Sequence, residues 1–193
     1  MALADPHASV DTLRSACEEV LTLNGLQERL IDALLTLATG ERGVERWEAL
    51  DLAAVTGRVL ASRGREGGER GVAVRQALTP APMAGDPRLV ESLVANLVDN
   101  GLRHNRAGGW VEVVTAPAGG RASIAVANTG PAVAAGDVER LFQPFQRGED
   151  RRARRAAGHG LGLAIVQAIA GAHGATLAAR ARPEGGLEVS VRF

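Results

Sequence analysis

Apolar residues recur at helical spacing from the start of the chain: Val10, Leu13, Cys17, Val20, Leu23, Leu26, Leu30, Leu34 and Leu37. They trace one face of a long helix, capped at Ser9 or Asp11 and stopped near Thr39-Gly40. A stripe of this kind needs a partner to pack on. The favoured reading is half of a helical hairpin or dimer bundle, ahead of a cover for the following domain. Residues 41–50, polar and Gly-containing as far as Glu48, read as a linker. The pattern then predicts a short helix over Leu52–Leu60, a charged Gly-rich loop from Arg63 to Gly71 and a strand over Val72–Leu78. Asp86-Pro87 is an N-cap followed by proline at the first helical position. It opens a helix with Leu89, Val90, Leu93, Val94, Leu97 and Val98 inward.

Two strands, Trp110–Thr115 and Ala122–Ala127, flank a Pro-Ala-Gly-Gly turn. A short helix over Ala135–Phe142, an Arg-rich loop from Gln143 to Gly158, a helix over Gly160–His173 and a closing hairpin (Thr176–Arg182, Leu187–Phe193) complete the reading. The expected fold class is α+β. It is a two-layer α/β sandwich with a mixed, mostly antiparallel sheet covered by helices, preceded by the long amphipathic helix.

Composition narrows the function classes. The 193 residues suffice for one domain plus an appendage. Acidic and basic residues number 22 each and cancel to +0, so no global basic field draws nucleic acid. Every basic side chain other than histidine is arginine; without lysine a P-loop is excluded. The single cysteine, Cys17, excludes an internal disulfide framework and a Cys-rich zinc site. No apolar run is long enough to span a bilayer and no leader stands at Met1, which predicts a soluble, cytoplasmic chain.

Four segments carry candidate chemistry. On the strong helix, Asn96, Asn100 and Arg103 follow at spacings of four and three and share one face. Such a polar row is costly to bury without partners. Its amide oxygens suit Mg²⁺, or else they hydrogen-bond a neighbouring loop. Val126-Ala-Asn128-Thr-Gly130-Pro-Ala132 follows a strand and either offers an acceptor to a base edge or forms an ordinary turn. Leu141-Phe142-Gln-Pro-Phe145-Gln-Arg147 is an apolar anchor before a basic stretch. Gly158-His159-Gly160-Leu161-Gly162 precedes a helix, where backbone amides can meet a phosphate.

The order of these four segments, from about Asp51 to Phe193, resembles the ATP-binding catalytic domain of bacterial sensor histidine kinases, in the gyrase and histidine-kinase ATPase superfamily. The resemblance implies ATP and Mg²⁺ as ligands. It implies that Asn100, helped by Asn96, coordinates Mg²⁺, and that Arg103 meets the phosphates. His104 stands where an aromatic often stacks on adenine, and Asn128 and Gly130 at the base-recognition turn. Phe142 and Phe145 correspond to the phenylalanine box, and Arg147 to a lid arginine reaching the terminal phosphate. Gly158, Gly160, Leu161 and Gly162 correspond to the second glycine box. Val10–Thr39 looks like the second helix of the dimerisation and phosphotransfer hairpin. None of His7, His104, His159 and His173 precedes an acidic residue, as the acceptor histidine does.

The expected organisation is therefore a partial hairpin over 1–40, a linker over 41–50 and a catalytic domain over 51–193. The acceptor histidine lies outside the chain. The implied partners are the acceptor helix and a response regulator, with a homodimeric full-length protein and a monomeric, non-autophosphorylating fragment.

Two departures bear on this reading. The family's base-recognition turn begins with aspartate where this chain has Asn128, and its second glycine is Ala132. An amide oxygen accepts a hydrogen bond without charge, so the contact weakens and Asn128→Asp is expected to strengthen it. A degenerate pseudokinase used as an interaction module, and an anti-sigma-factor-type serine kinase, stay as alternatives. The related hydrolases place a glutamate base where Asn96 stands; an amide cannot take that proton, which disfavours ATP hydrolysis.

Overall fold

The computed structural model describes residue 44 and residues 46–143 and 161–193. The expected helix at 10–39 and the Arg-rich loop lie outside the described residues. So do four expected site residues: Phe145, Arg147, Gly158 and Gly160.

Among the described residues there are seven strands and three α-helices: β1 (Glu48–Asp51), α1 (Leu52–Glu69), β2 (Ala73–Leu78), β3 (Pro82–Gly85), α2 (Pro87–Arg103), β4 (Trp110–Ala118), β5 (Arg121–Asn128), α3 (Gly162–Ala172), β6 (Thr176–Ala181) and β7 (Leu187–Arg192). Five strands form one sheet in the order β2-β4-β5-β7-β6, while β1 and β3 pair as a separate antiparallel ribbon. Within the large sheet β2 and β4 are parallel, in register from Ala73 opposite Trp110 to Leu78 opposite Thr115. The other three pairings are antiparallel. A parallel pair needs a crossover, and α2 supplies it. The architecture is the expected mixed, mostly antiparallel sheet with helices.

The core follows the two periodicities. Helix α2 buries Val90, Leu93, Val94, Leu97, Val98, Gly101 and Leu102. The strands bury Val111, Val113, Ile124, Val126, Val189 and Val191, alternate residues of one sheet face. Helix α3 adds Leu163, Ile165, Val166 and Ile169. Gly101 lets α2 lie close on the sheet. A β-carbon there would come within 3.1 Å of Val111 Cγ1 and 3.6 Å of the Asn128 β-carbon. The polar face of α2 is thereby held beside the end of β5.

The start of α2 is fixed twice. Asp86 accepts hydrogen bonds from the backbone N–H groups of Arg88 (2.8 Å) and Leu89 (3.1 Å). Its own N–H donates to His173 Nε2 at 3.1 Å, so the imidazole proton sits on Nδ1 and donates to the Ile169 carbonyl at 2.8 Å. The buried His173 ring thus ties the end of α3 to the cap of α2.

Three expectations are corrected. Helix α1 runs through the predicted loop to Glu69. The Gly-rich composition suggested a break, but tertiary contact outweighs propensity: Arg63 Nε on α1 pairs with Asp99 Oδ1 on α2 at 3.1 Å. The expected linker over 41–50 overlaps β1, whose pairing with β3 escapes a local reading because both strands have four residues. The expected helix over Ala135–Phe142 is two short 3₁₀ stretches, Ala135–Asp137 and Glu139–Phe142. Among the described residues, no helix is long and apolar enough to cross a membrane.

Candidate functional site

Asn96, Asn100 and Arg103 lie half-buried along one face of α2, as their spacing requires. The Asn96 side-chain Nδ2 donates to the Ser92 carbonyl of its own helix at 2.8 Å. Its Oδ1 therefore points away from that turn. A β-carbon on Gly162, the first residue of α3, would stand 3.3 Å from this oxygen. The start of α3 and the amide row of α2 thus face one another. No hydrogen bond from the side chains of Asn100 or Arg103 occurs among the described residues. Both side chains reach solvent and keep their full hydrogen-bonding capacity for water or a ligand.

At the other end stands Asn128, the last residue of β5 and 4 % exposed. Its Nδ2 donates to the carbonyls of Thr129 at 2.7 Å and His104 at 3.4 Å. Both amide hydrogens are thus directed into the protein, and Oδ1 is the atom left to offer a ligand. An aspartate here would set a carboxylate oxygen against those two carbonyls. The gain expected from Asn128→Asp is therefore opposed by local repulsion. Gly130 is also buried, close under the His104 carbonyl, and Leu161 is buried at the cap of α3.

Sequence reasoning missed the residues that hold these two ends together. Asn105 Nδ2 donates to the carbonyls of Gly101 (3.1 Å) and Trp110 (2.9 Å). Its Oδ1 accepts from Arg106 N (2.9 Å) and from Thr129 Oγ1 (2.7 Å). Thr129 Oγ1 in turn accepts from Trp110 N at 2.8 Å. The Trp110 ring carries the guanidinium groups of Arg75 at 5.1 Å and Arg182 at 4.7 Å. A signal was present in the asparagine just past the helix end, a residue type that bonds local backbone. Its partner 24 residues on was not visible.

His104 caps α2 with its ring partly in solvent. Desolvation by the surrounding protein, and then the neighbouring Arg103 charge, hold its pKa below the ordinary 6.5. The lowered pKa favours the neutral ring near pH 7. Because the unfolded chain takes up this proton first, stability is insensitive to His104 above pH 6.5 and declines as pH falls below it. An NMR titration should give a midpoint below the ordinary value, moving up in Arg103→Gln. A midpoint at or above the ordinary value contradicts this environment.

Residues 85–193 match the family described as histidine kinase-, DNA gyrase B-, and HSP90-like ATPases. The chain belongs to this family. Its kinase branch is the near one. The chain is 40% identical over 190 residues to the sensor protein CutS of Streptomyces coelicolor, covering 98% of this chain and 46% of CutS. It shares 34% identity with the histidine kinase domain of the Escherichia coli osmosensor EnvZ, covering 76% of this chain and 87% of that structure at a TM-score of 0.54. The mycobacterial sensor histidine kinase MprB is 25% identical, over 77% of this chain and 97% of that structure, with a TM-score of 0.65. The chain thus carries the ATP-binding catalytic domain of a two-component sensor histidine kinase. It spans about half the length of CutS.

Proposed function

We propose that this kinase-type domain binds Mg·ATP between the amide row of α2 and the end of β5, and presents the γ-phosphate to a histidine on a separate acceptor helix. The observation that carries this reading is the unpartnered Asn100 carboxamide, on the face that also holds Asn96 Oδ1 and Arg103. Amide oxygens are hard donors that fit Mg²⁺, an ion that keeps waters and substrate phosphates as its other ligands. Among the described residues no cluster of three or more His, Cys, Asp and Glu side chains competes for a metal. Asn100 would hold the ion, with Asn96 beside it, and Mg²⁺ bound there neutralises phosphate charge.

The other roles belong to the chain's own groups. Asn128 Oδ1 accepts from the adenine amino group, the neutral His104 ring faces the base, and Arg103 meets the phosphates. By their place in the sequence, Phe145, Arg147 and the Gly158, Gly160, Leu161 and Gly162 segment complete the lid and phosphate contacts. In the transfer the bond between the γ-phosphorus and the ADP oxygen breaks as a bond to an imidazole nitrogen forms. The imidazole N–H proton passes to solvent. Positioning and charge stabilisation supply the catalysis.

The full-length protein is read as a homodimeric sensor with this domain in the cytoplasm, passing phosphate on to a response regulator. Residues 1–40 supply one helix of the acceptor hairpin, the linker ends where β1 begins at Glu48, and the catalytic domain follows. The chain alone is then monomeric and takes no label from γ-labelled ATP. The full-length protein takes acid-labile label on a histidine outside residues 1–193. Acid-labile label on the chain alone would overturn this assignment. ATP binding with no phosphohistidine in the full-length protein would favour a pseudokinase, the reading that Asn128 and Ala132 keep open.

A further inference from the structure

The base end and the phosphate end of the proposed site sit on different elements, Asn128 on β5 and Asn96, Asn100 and Arg103 on α2. One nucleotide can engage both ends without strain only if their separation stays matched to its length. The hydrogen bonds of Asn105 join these elements. Two donors and two acceptors exhaust the carboxamide's capacity: Gly101 and Trp110 carbonyls on one side, Arg106 N–H and the Thr129 hydroxyl on the other. Gly101 follows Asn100 directly, and Thr129 follows Asn128 directly. The Thr129 hydroxyl is itself fully engaged, donating to Asn105 and accepting from Trp110 N. Thr129 N donates to the Trp110 carbonyl at 3.0 Å, and Asn128 Nδ2 reaches the His104 carbonyl across the same junction. Thr129 is only 5 % exposed, so water does not substitute easily for a lost partner.

We infer that Asn105 and Thr129 are positioning residues for nucleotide binding, setting the spacing between the metal-binding asparagine and the base-recognising one. Neither is a ligand in this account; both act through Asn100 and Asn128. The inference rests on the nucleotide reading of the site proposed above. It differs from a purely structural role in a way that can be measured. Thr129 has a buried methyl group, which supports stability, and a hydroxyl, which sets geometry.

The test is ADP affinity by calorimetry in the presence of Mg²⁺, with melting temperature measured on the same samples, for the parent, Thr129→Val and Thr129→Ser. Thr129→Val keeps the shape and loses the hydroxyl, and its ADP affinity should fall about tenfold. Thr129→Ser keeps the hydroxyl and loses the methyl. It should melt lower than the parent yet bind ADP within about twofold of it. If Thr129→Val does not fold, Asn105→Ser removes the nearer acceptor of the same hydroxyl, leaving the Trp110 carbonyl at 3.3 Å, and should likewise lower ADP affinity several-fold. Affinity that tracks melting temperature across the variants, or Thr129→Val (or Asn105→Ser in its place) binding as the parent does, overturns the positioning role and leaves the site assignment standing. A parent chain that binds no ADP overturns the site assignment and the positioning role together.

Discussion

Asn100→Ala is expected to remove the Mg²⁺-dependent part of nucleotide binding and to leave the fold standing. Both halves follow from the same observation. The Asn100 side chain has no hydrogen bond among the described residues, so its removal strands no buried donor or acceptor. It lies next to Leu93 and Leu97 on the helix surface, at i+7 and i+3, but at the half-buried edge of that apolar face and not within it. Alanine is also the better helix former. Stability should therefore change by less than about 1 kcal/mol. The effect on binding is far larger. Loss of groups that merely support a metal ligand lowers metal affinity by about 10–100-fold, so loss of the ligand itself should lower Mg·ATP affinity by at least about 100-fold. Asn100→Asp adds a charge beside the phosphates and should also bind poorly. Calorimetry with and without Mg²⁺ reads this directly. An Asn100→Ala protein that binds Mg·ATP as tightly as the parent would place the metal elsewhere.

The second large effect is structural. Gly186, in the turn between β6 and β7, has a backbone φ of +91°. A β-carbon there would overlap the Asn128 carbonyl oxygen. The turn is pinned in place, with Gly186 N donating to the Pro131 carbonyl at 2.9 Å and Arg182 N donating to the Gly186 carbonyl at 3.1 Å. It cannot swing aside without releasing the strand end that carries Asn128. Gly186→Ala thus combines an unfavourable φ with a backbone collision, and should cost about 3 kcal/mol or more. For a chain of this size that lowers the melting temperature by roughly 10 °C. Any folded remainder should bind ADP weakly because Asn128 has moved. A Gly186→Ala protein that melts with the parent would mean that the turn does not press on Asn128 as described.

Elements with long, strong periodicity were legible from sequence, and short elements defined by distant partners were not. The stripe through Leu93, Leu97 and Val98, behind an Asp-Pro cap, gave α2 together with the face its asparagines occupy. The alternation at Trp110–Thr115 and Ala122–Ala127 gave β4 and β5, each of which proves longer by a few residues. Strands β1 and β3 have no periodicity of their own and exist because they pair with each other. The second half of α1 defeats local propensity because Arg63 is anchored to Asp99 on the neighbouring helix.

The candidate site divides the same way. Asn96, Asn100 and Arg103 were readable as a helical face, and Asn128 as a strand-end acceptor. The direction of the Asn128 amide depends on two carbonyls, one of them 24 residues away in sequence. The Asn105–Thr129 hydrogen bond spans the same interval. Only the folded chain reveals that the family's aspartate position is lined by carbonyl oxygens that suit an amide donor.

If one nucleotide bridges Asn100 on α2 and Asn128 on β5, both side chains must report the same binding event. The most direct measurement follows the side-chain amide resonances of both asparagines by NMR while Mg²⁺ and a nonhydrolysable ATP analogue are titrated into the chain. Both should shift along one saturable curve, with the same dissociation constant, and omitting Mg²⁺ should reduce the response at Asn100 more than at Asn128. Saturating analogue that leaves both resonances in place, or that moves them with different affinities, would contradict a single nucleotide site at these residues.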